Sequence, residues 1–519
     1  VKRQFTVWFV VMLVLSMLVQ PVGLAGGFKS PGNDLEPGAI SIGATPAVVD
    51  PNKPVIVFVQ GLTNDSTVWY QNNNMYNLAV QAGYQTAFVE LFDSGGTPQS
   101  YWDNGALLAD QLQQISNYFG GKKLTVVAYS KGGVDTQVAL IHEGKYPLVS
   151  NVITLGSPHY GSELADLANS SGLGWLADLI GQNSPGTQSL QTATMNYFRS
   201  ITDNRFERSQ NNYYTIAGNR TGPAFSSYWF GSGFISGPSD GVVSVASATL
   251  PYAPMLAVGN WNHGEVNIGS NVFSIFRPQL TIGSFRVAQM EEAAREQAKV
   301  AEEELQVLVR GGEQFGEASE TFYVEEEATG IVINWLSATE HDTLDLLAPG
   351  ETTVETFHVE SVADETMFFE GAYHHTVELD DPLAGEWTVS TATEEASAYA
   401  MLVTFDSLLN EQLHVTQSGD LKEITVEQDA PDRAQARGVS RDVMLDYDIT
   451  FTPEEEAETN LFGQRQTAIN EQSNQVKVPE LGEGLYTVTA DVEGESASGT
   501  RFERTLITSI YIDEEGNTY

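Results

Sequence analysis

Four near-continuous hydrophobic runs, rich in Val and Ile, punctuate the chain between residues 54 and 155: Pro54–Gln60 (PVIVFVQ), Tyr84–Leu91 (YQTAFVEL), Leu124–Tyr129 (LTVVAY) and Leu148–Leu155 (LVSNVITL). A strand with one wet face alternates apolar and polar residues, so a run without alternation fits a strand buried on both faces. Between the runs, Tyr70–Gly83, Asn104–Gly120 and Gly132–Glu143 carry apolar residues at helical spacing. Strands alternating with helices in this way imply a doubly wound α/β domain with a mostly parallel sheet. Its expected extent is residues 28–284.

The chain has 519 residues, too long for a single core, and its character changes after that domain. The stretch RVAQMEEAAREQAKVAEEELQVLVR predicts one amphipathic linker helix over 285–312, closed by Gly311 and Gly312. Short strands separated by turn residues follow. Leu383–Ser390 (LAGEWTVS) echoes Gly482–Thr489 (GEGLYTVT), with Trp387 and Tyr486 in register 99 residues apart. That period predicts two β-sandwich modules of immunoglobulin-like size, at 313–410 and 411–519. At the other end, Lys2 and Arg3 precede an apolar run from Phe5 to Val19 and small residues up to Ala25. Fifteen residues fall short of the roughly 20 that a membrane span needs. The stretch reads as a signal peptide over 1–25, with the rest secreted to the outside and no integral span after cleavage.

Composition narrows the chemistry. With no cysteine there is no disulfide framework, thiol nucleophile or thiolate metal site. The 68 acids against 25 Lys and Arg, a net charge of −43, argue against a nucleic-acid partner, because neutralising phosphates takes cations. The acidity is uneven: residues 28–284 carry 17 acids and 11 bases, whereas 285–519 carry 51 acids and 12 bases. The second half is therefore at −39 and the first at −6. No cofactor is expected, and a structural calcium among the many carboxylates is left open because no site for it is readable. His374 and His375 are neighbours on what reads as a strand and point to opposite faces, and no EF-hand-like loop marks a structural calcium.

The reactive chemistry is written at the end of the third run, where Ala128-Tyr129-Ser130-Lys131-Gly132-Gly133 leads into a helix. A strand, a sharp turn and a helix with small residues on either side of a serine make a nucleophile elbow, because the strained turn brings strand and helix too close for bulky side chains. Ser130 is the candidate nucleophile. The first run ends in Val59-Gln60-Gly61-Leu62, where the backbone N–H of Leu62 can converge with that of Lys131 on a developing oxyanion. Of the histidines in the domain, His142 falls within the helix after the elbow and His159 just after the next strand, which suits structural or rim roles. His263, in the polar loop Asn260-Trp261-Asn262-His263-Gly264-Glu265, is the candidate base. Among the carboxylates between Ser130 and His263, Asp240 in Ser239-Asp240-Gly241-Val242-Val243 best fits the orienting acid, 23 residues before the histidine.

Together these motifs, with Leu155-Gly156-Ser157-Pro158-His159-Tyr160-Gly161-Ser162, make residues 54–277 resemble a secreted bacterial lipase or esterase of the α/β-hydrolase superfamily. The resemblance implies a carboxylic ester hydrolase working through Ser130, His263 and Asp240 on a lipid or ester substrate such as an acylglycerol, and it leaves open whether the substrate is met at an interface and whether an apolar lid covers the site. The segment Leu173–Gly181 suits either such a lid or a core helix. The alternative is a depolymerase of an insoluble polyester, or a polymer-binding protein, with β modules that hold polymer, cell surface or cations. Two positions depart from the family pattern. Gln60 stands where His is frequent, and Lys131, which reads as pointing to the surface, stands where Met or Gln is frequent.

Overall fold

The computed structural model describes Gly32 and residues 34–282, 305–429, 443–454, 464–468 and 473–519. The expected signal peptide, and most of the expected linker helix, lie outside the described residues. Seven strands, β1 (Ile40–Ile42), β2 (Val55–Val59), β3 (Gln85–Val89), β4 (Leu124–Tyr129), β5 (Val149–Leu155), β6 (Asn212–Gly218) and β7 (Met255–Gly259), form one sheet in the order β1-β3-β2-β4-β5-β6-β7. Short β1 runs antiparallel to β3 and every other pairing is parallel.

Successive side chains of a strand face opposite sides of a sheet. Val55, Val57 and Val59 of β2 accordingly enter one core with Leu108, Leu112 and Ile115 of the helix Tyr101–Tyr118. Ile56 and Phe58 enter another with Met75, Ala79, Val272 and Phe276, from the helices Met75–Gln81 and Gly269–Phe276. All five β2 side chains are fully buried. Each contributes about 1.5–3 kcal/mol of burial, so coverage on both faces accounts for a run with no polar side.

The second half opens with β8 (Val307–Val324), and here the linker expectation needs correction. Gly311 and Gly312 do not end a helix but sit inside a strand. A Cβ at Gly311 would collide with the carbonyl oxygen of Gly172 in the α/β half, so glycine there serves a close backbone approach between the two halves.

β8 joins β9 (Ala328–Ser337), β10 (Thr343–Leu347), β11 (Glu355–His358), β12 (Val362–Ala363), β13 (Tyr373–Asp380) and β14 (Gly385–Ser407) in one antiparallel sheet. The long β14 pairs with β8 along its length, with β10 through Thr388–Ser390 and with β9 through Tyr399–Ser407. Its register against β8 shifts between Thr393 and Ser397. Such a shift bends a strand, and Trp387 and Val389 from one side of the bend share a core with Met401 and Val403 from the other. The first β module is thus one sheet folded upon itself.

The second module has two sheets. β15 (Leu413–Gln417), β16 (Glu423–Gln428) and β19 (Gln475–Lys477) face β17 (Met444–Pro453), β18 (Gln464–Ala468), β20 (Gly484–Glu495) and β21 (Arg501–Ile512) across a common core. The internal echo has a structural counterpart. Trp387 Nε1 donates to Leu383 O at 2.9 Å and Tyr486 OH donates to Gly482 O at 2.8 Å, each bond reaching four residues back around a strand-entry corner. Among the described residues no helix is long and apolar enough to cross a membrane.

Candidate active site

The sheet brings the candidate residues to one edge, just beyond the C-terminal ends of its parallel strands, where α/β folds place their sites. Ser130 follows β4 with φ at 53°, a left-handed conformation that a serine adopts at a cost of about 1 kcal/mol or more. Close packing enforces it. A Cβ on Gly61 would lie 2.7 Å from Ser130 Cβ, and one on Gly132 would strike the carbonyl oxygen of Gln60. The loop after β2, which carries Leu62, is therefore pressed directly against the turn that carries Lys131.

Ser130 Oγ lies 3.0 Å from His263 Nε2, and His263 Nδ1 lies 2.8 Å from Asp240 Oδ2. Asp240 Oδ1 accepts from the N–H groups of Val242 and Val243 at 3.0 and 2.8 Å, leaving the other oxygen for the imidazole. His263 is fixed from behind: its N–H donates to Asp240 O at 2.9 Å, and Tyr129 OH donates to its carbonyl oxygen at 3.0 Å. In this sequence of contacts the imidazole can take the proton of the hydroxyl as it attacks, and the carboxylate can orient the ring and stabilise the imidazolium. The other two histidines of the domain are occupied elsewhere. His159 Nε2 pairs with Thr154 Oγ1 and His142 Nε2 with Thr202 Oγ1. Burial pushes both well below the usual histidine range, His142 to about 4. Among the described residues no group of three His, Asp or Glu is placed to hold a metal ion.

Lys131 corrects an expectation. It does not point to the surface but is fully buried, its Nζ 3.0 Å from Asp135 Oδ1 and 3.4 Å from Asp93 Oδ2. Burial alone would lower its pKa, and the two carboxylates outweigh that and raise it. One ammonium cannot neutralise two carboxylates, and burial pushes Asp135 up to about 8.

The site is covered. Ser130, His263 and Asp240 are at most 2% exposed, and Met367 Sδ from the first β module lies 3.6 Å from Ser130 Oγ. Met367, Phe368 and Phe369 belong to one apolar cluster with Leu62, Leu164, Leu173, Leu176 and Val242. The segment around them is held on both sides. Tyr228 OH donates to Glu365 O at 3.3 Å, Glu365 N donates to Ser227 Oγ at 3.2 Å, and Gln182 Nε2 donates to Glu370 O at 3.3 Å. From within its own module, His374 Nε2 lies 2.8 Å from Asp364 Oδ2, and the His374 ring stacks on Phe230 with centroids 4.8 Å apart. The helix Gly174–Leu179 lies in this contact zone, with Leu176 buried and Trp175 and Leu179 exposed. Sequence reasoning did not find Met367. Its signal was a bulky apolar triplet set among acids, Asp364-Glu365-Thr366-Met367-Phe368-Phe369-Glu370.

A scan against protein-family models finds no match, and neither does a search of curated proteins. Solved structures do match. The lipase BlEst2 of Bacillus licheniformis in its propeptide form is 34% identical, with a TM-score of 0.75 over 93% of this chain and 99% of that one. The mature form of the same lipase is 45% identical over 48% of this chain and 100% of that one, with a TM-score of 0.45.

Proposed function

This chain belongs to the bacterial lipase and esterase family that includes BlEst2 and is a carboxylic ester hydrolase; we propose that it works through a serine nucleophile, on acylglycerols, after secretion. The observation that carries the serine mechanism is the unbroken contact from Ser130 Oγ through His263 to Asp240 at a strained elbow. Ser130 attacks the ester carbonyl while His263 Nε2 takes its proton, and Asp240 holds the Nδ1–H tautomer and stabilises the imidazolium. The N–H groups of Leu62 and Lys131 receive the oxyanion. His263 then returns the proton to the departing alcohol, and a water activated by the same imidazole releases the acid from the acyl enzyme.

The relative was crystallised in a propeptide form, and the second half of this chain is read in the same way. Met367 against Ser130 and the burial of all three side chains support a precursor that carries its own plug. The relatives give no support to the polyester or polymer-binding alternative. The test is hydrolysis of p-nitrophenyl butyrate by the intact chain and by the chain folded intact and then nicked with a protease. Nicking is expected to raise the rate, and Ser130→Ala to abolish it in both forms without altering the circular dichroism spectrum. Full activity in Ser130→Ala would overturn the mechanism.

A further inference from the structure

The two donors of the oxyanion hole come from separate pieces of chain, Leu62 from the loop after β2 and Lys131 from the turn after β4. We infer that one short segment after β3, Glu90–Ser94, clamps both pieces in register, with Ser94 and Asp93 as its positioning residues; the inference rests on the serine-hydrolase reading above.

On the loop side, Gln60 Nε2 donates to Ser94 Oγ at 2.9 Å, and Ser94 Oγ donates to Glu90 Oε2 at 2.8 Å. The same Glu90 oxygen accepts from Ser66 N at 3.1 Å. The stretch from Gln60 to Ser66 is thereby tied at both ends to one carboxylate and one hydroxyl. It needs such ties, because Thr63 within it has φ at 58°, a conformation that a β-branched residue does not hold unaided.

On the elbow side, the partners of the buried Lys131 are Asp135, one turn along its own helix, and Asp93, the neighbour of Ser94. Asn104 locks that corner: its amide donates to Asp93 Oδ2 and, at 3.5 Å, to Asp135 Oδ2, while its oxygen accepts from Phe92 N at 3.1 Å. Adjacent side chains on one turn thus run in two directions, Ser94 to the Leu62 loop and Asp93 to the Lys131 elbow. A buried ammonium is a costly way to fill a core position, and an apolar side chain of similar volume would do so at least as cheaply. Fixing the orientation of the Lys131 peptide gives this one a use. The two departures from the family pattern, Gln60 and Lys131, are the two ends of the clamp.

A clamp on the hole changes binding of the tetrahedral transition state and not binding of the ester, so its removal lowers kcat and leaves KM alone. The test uses the full chain, folded and then nicked, with p-nitrophenyl butyrate as substrate and butaneboronic acid as a tetrahedral mimic. Ser94→Ala and Lys131→Met should each lower kcat about 10- to 100-fold, the scale expected of a small misplacement, with KM changed less than about twofold. Boronic acid affinity should fall in parallel, and Ser94→Thr, which keeps the hydroxyl, should restore most of the rate. Because both act through one turn, the double variant should lose less than the product of the single losses. If Lys131→Met does not fold, Asn104→Ala takes its place in the cycle. Losses that multiply, a raised KM with kcat intact, or an unchanged kcat would each overturn the clamp. Retained activity in Ser130→Ala, run alongside, would bring down the mechanism beneath it and the clamp with it.

Discussion

Three carboxylates of the α/β half illustrate how environment assigns roles. Asp240 has one oxygen committed to two backbone N–H groups and the other to His263. Asp203 instead pairs with Arg199 at 3.1 Å and accepts from Tyr252 OH at 3.1 Å. Asp240→Asn is therefore expected to lower kcat by about 10⁴-fold, as loss of the orienting acid does in other triads, while Asp203→Asn changes it little. Comparable losses in the two variants would reassign the acid. Glu90 makes a prediction about pH. Burial pushes its carboxyl from 4.5 up to about 7. Between those values the unfolded chain has released the proton and the folded chain keeps it, so stability falls as pH rises from about 4.5 to 7 and levels off above. The span is about 3 kcal/mol at most for this one group. Glu90→Gln should flatten that part of a plot of melting temperature against pH, and an unchanged slope would show that Glu90 is not its source. At this scale the strained turn at Ser130 was legible because such a turn demands small neighbours. The orientation of Lys131 was not, because burying a cation depends on Asp93, which arrives from another strand.

Among elements, legibility followed burial. Leu124–Tyr129 was found to the residue as β4 because both its faces are covered, whereas β1, three residues at the sheet's antiparallel edge, left no comparable pattern. The Gly311-Gly312 pair misled because a glycine that ends a helix and one that lets two backbones meet look alike in sequence; only the approach of Gly172 tells them apart. The repeated strand-entry corner was legible as an echo, and the structure supplies its mechanism. Tyr486 OH donates to Gly482 O and accepts from Leu481 N at 3.0 Å, stapling the chain where it enters β20. Tyr486→Phe removes both bonds and keeps the ring that fills the module's core. It should destabilise the second module by about 1–3 kcal/mol, read from urea unfolding of the full chain. A loss below 0.5 kcal/mol (about the threshold for an ordinary surface change) would mean that the ring alone makes the corner.

Across the whole molecule, the relation between the halves could not be read from sequence, since Met367 meets a serine 237 residues away. The charge partition could be read, and the structure gives it a consequence. Contacts between the halves are made largely by uncharged groups: Tyr197 stacks on Tyr511 with centroids 4.2 Å apart, Thr487 Oγ1 donates to Gln191 Oε1 at 3.0 Å, and Ser171 N donates to Thr489 Oγ1 at 3.1 Å. Ser509 Oγ donates at 2.7 Å to Asp166, a carboxylate that brings no cation with it in these bonds. Apolar burial and neutral hydrogen bonds must therefore hold together a half at −6 and a half at −39 against their mutual repulsion. While the chain is continuous the two halves cannot separate far. Once it is cut, repulsion favours departure of the acidic half, and salt opposes departure by shortening the Debye length from about 30 Å at 0.01 M to about 3 Å at 1 M. The nicked protein should accordingly release its second half, and gain esterase activity, faster in 10 mM than in 500 mM sodium chloride (roughly the two ends of that screening range), as followed by size-exclusion chromatography and p-nitrophenyl butyrate hydrolysis. Faster release at high salt would reverse the sign, and would mean that ion pairs across the interface, rather than its neutral contacts, hold the second half in place.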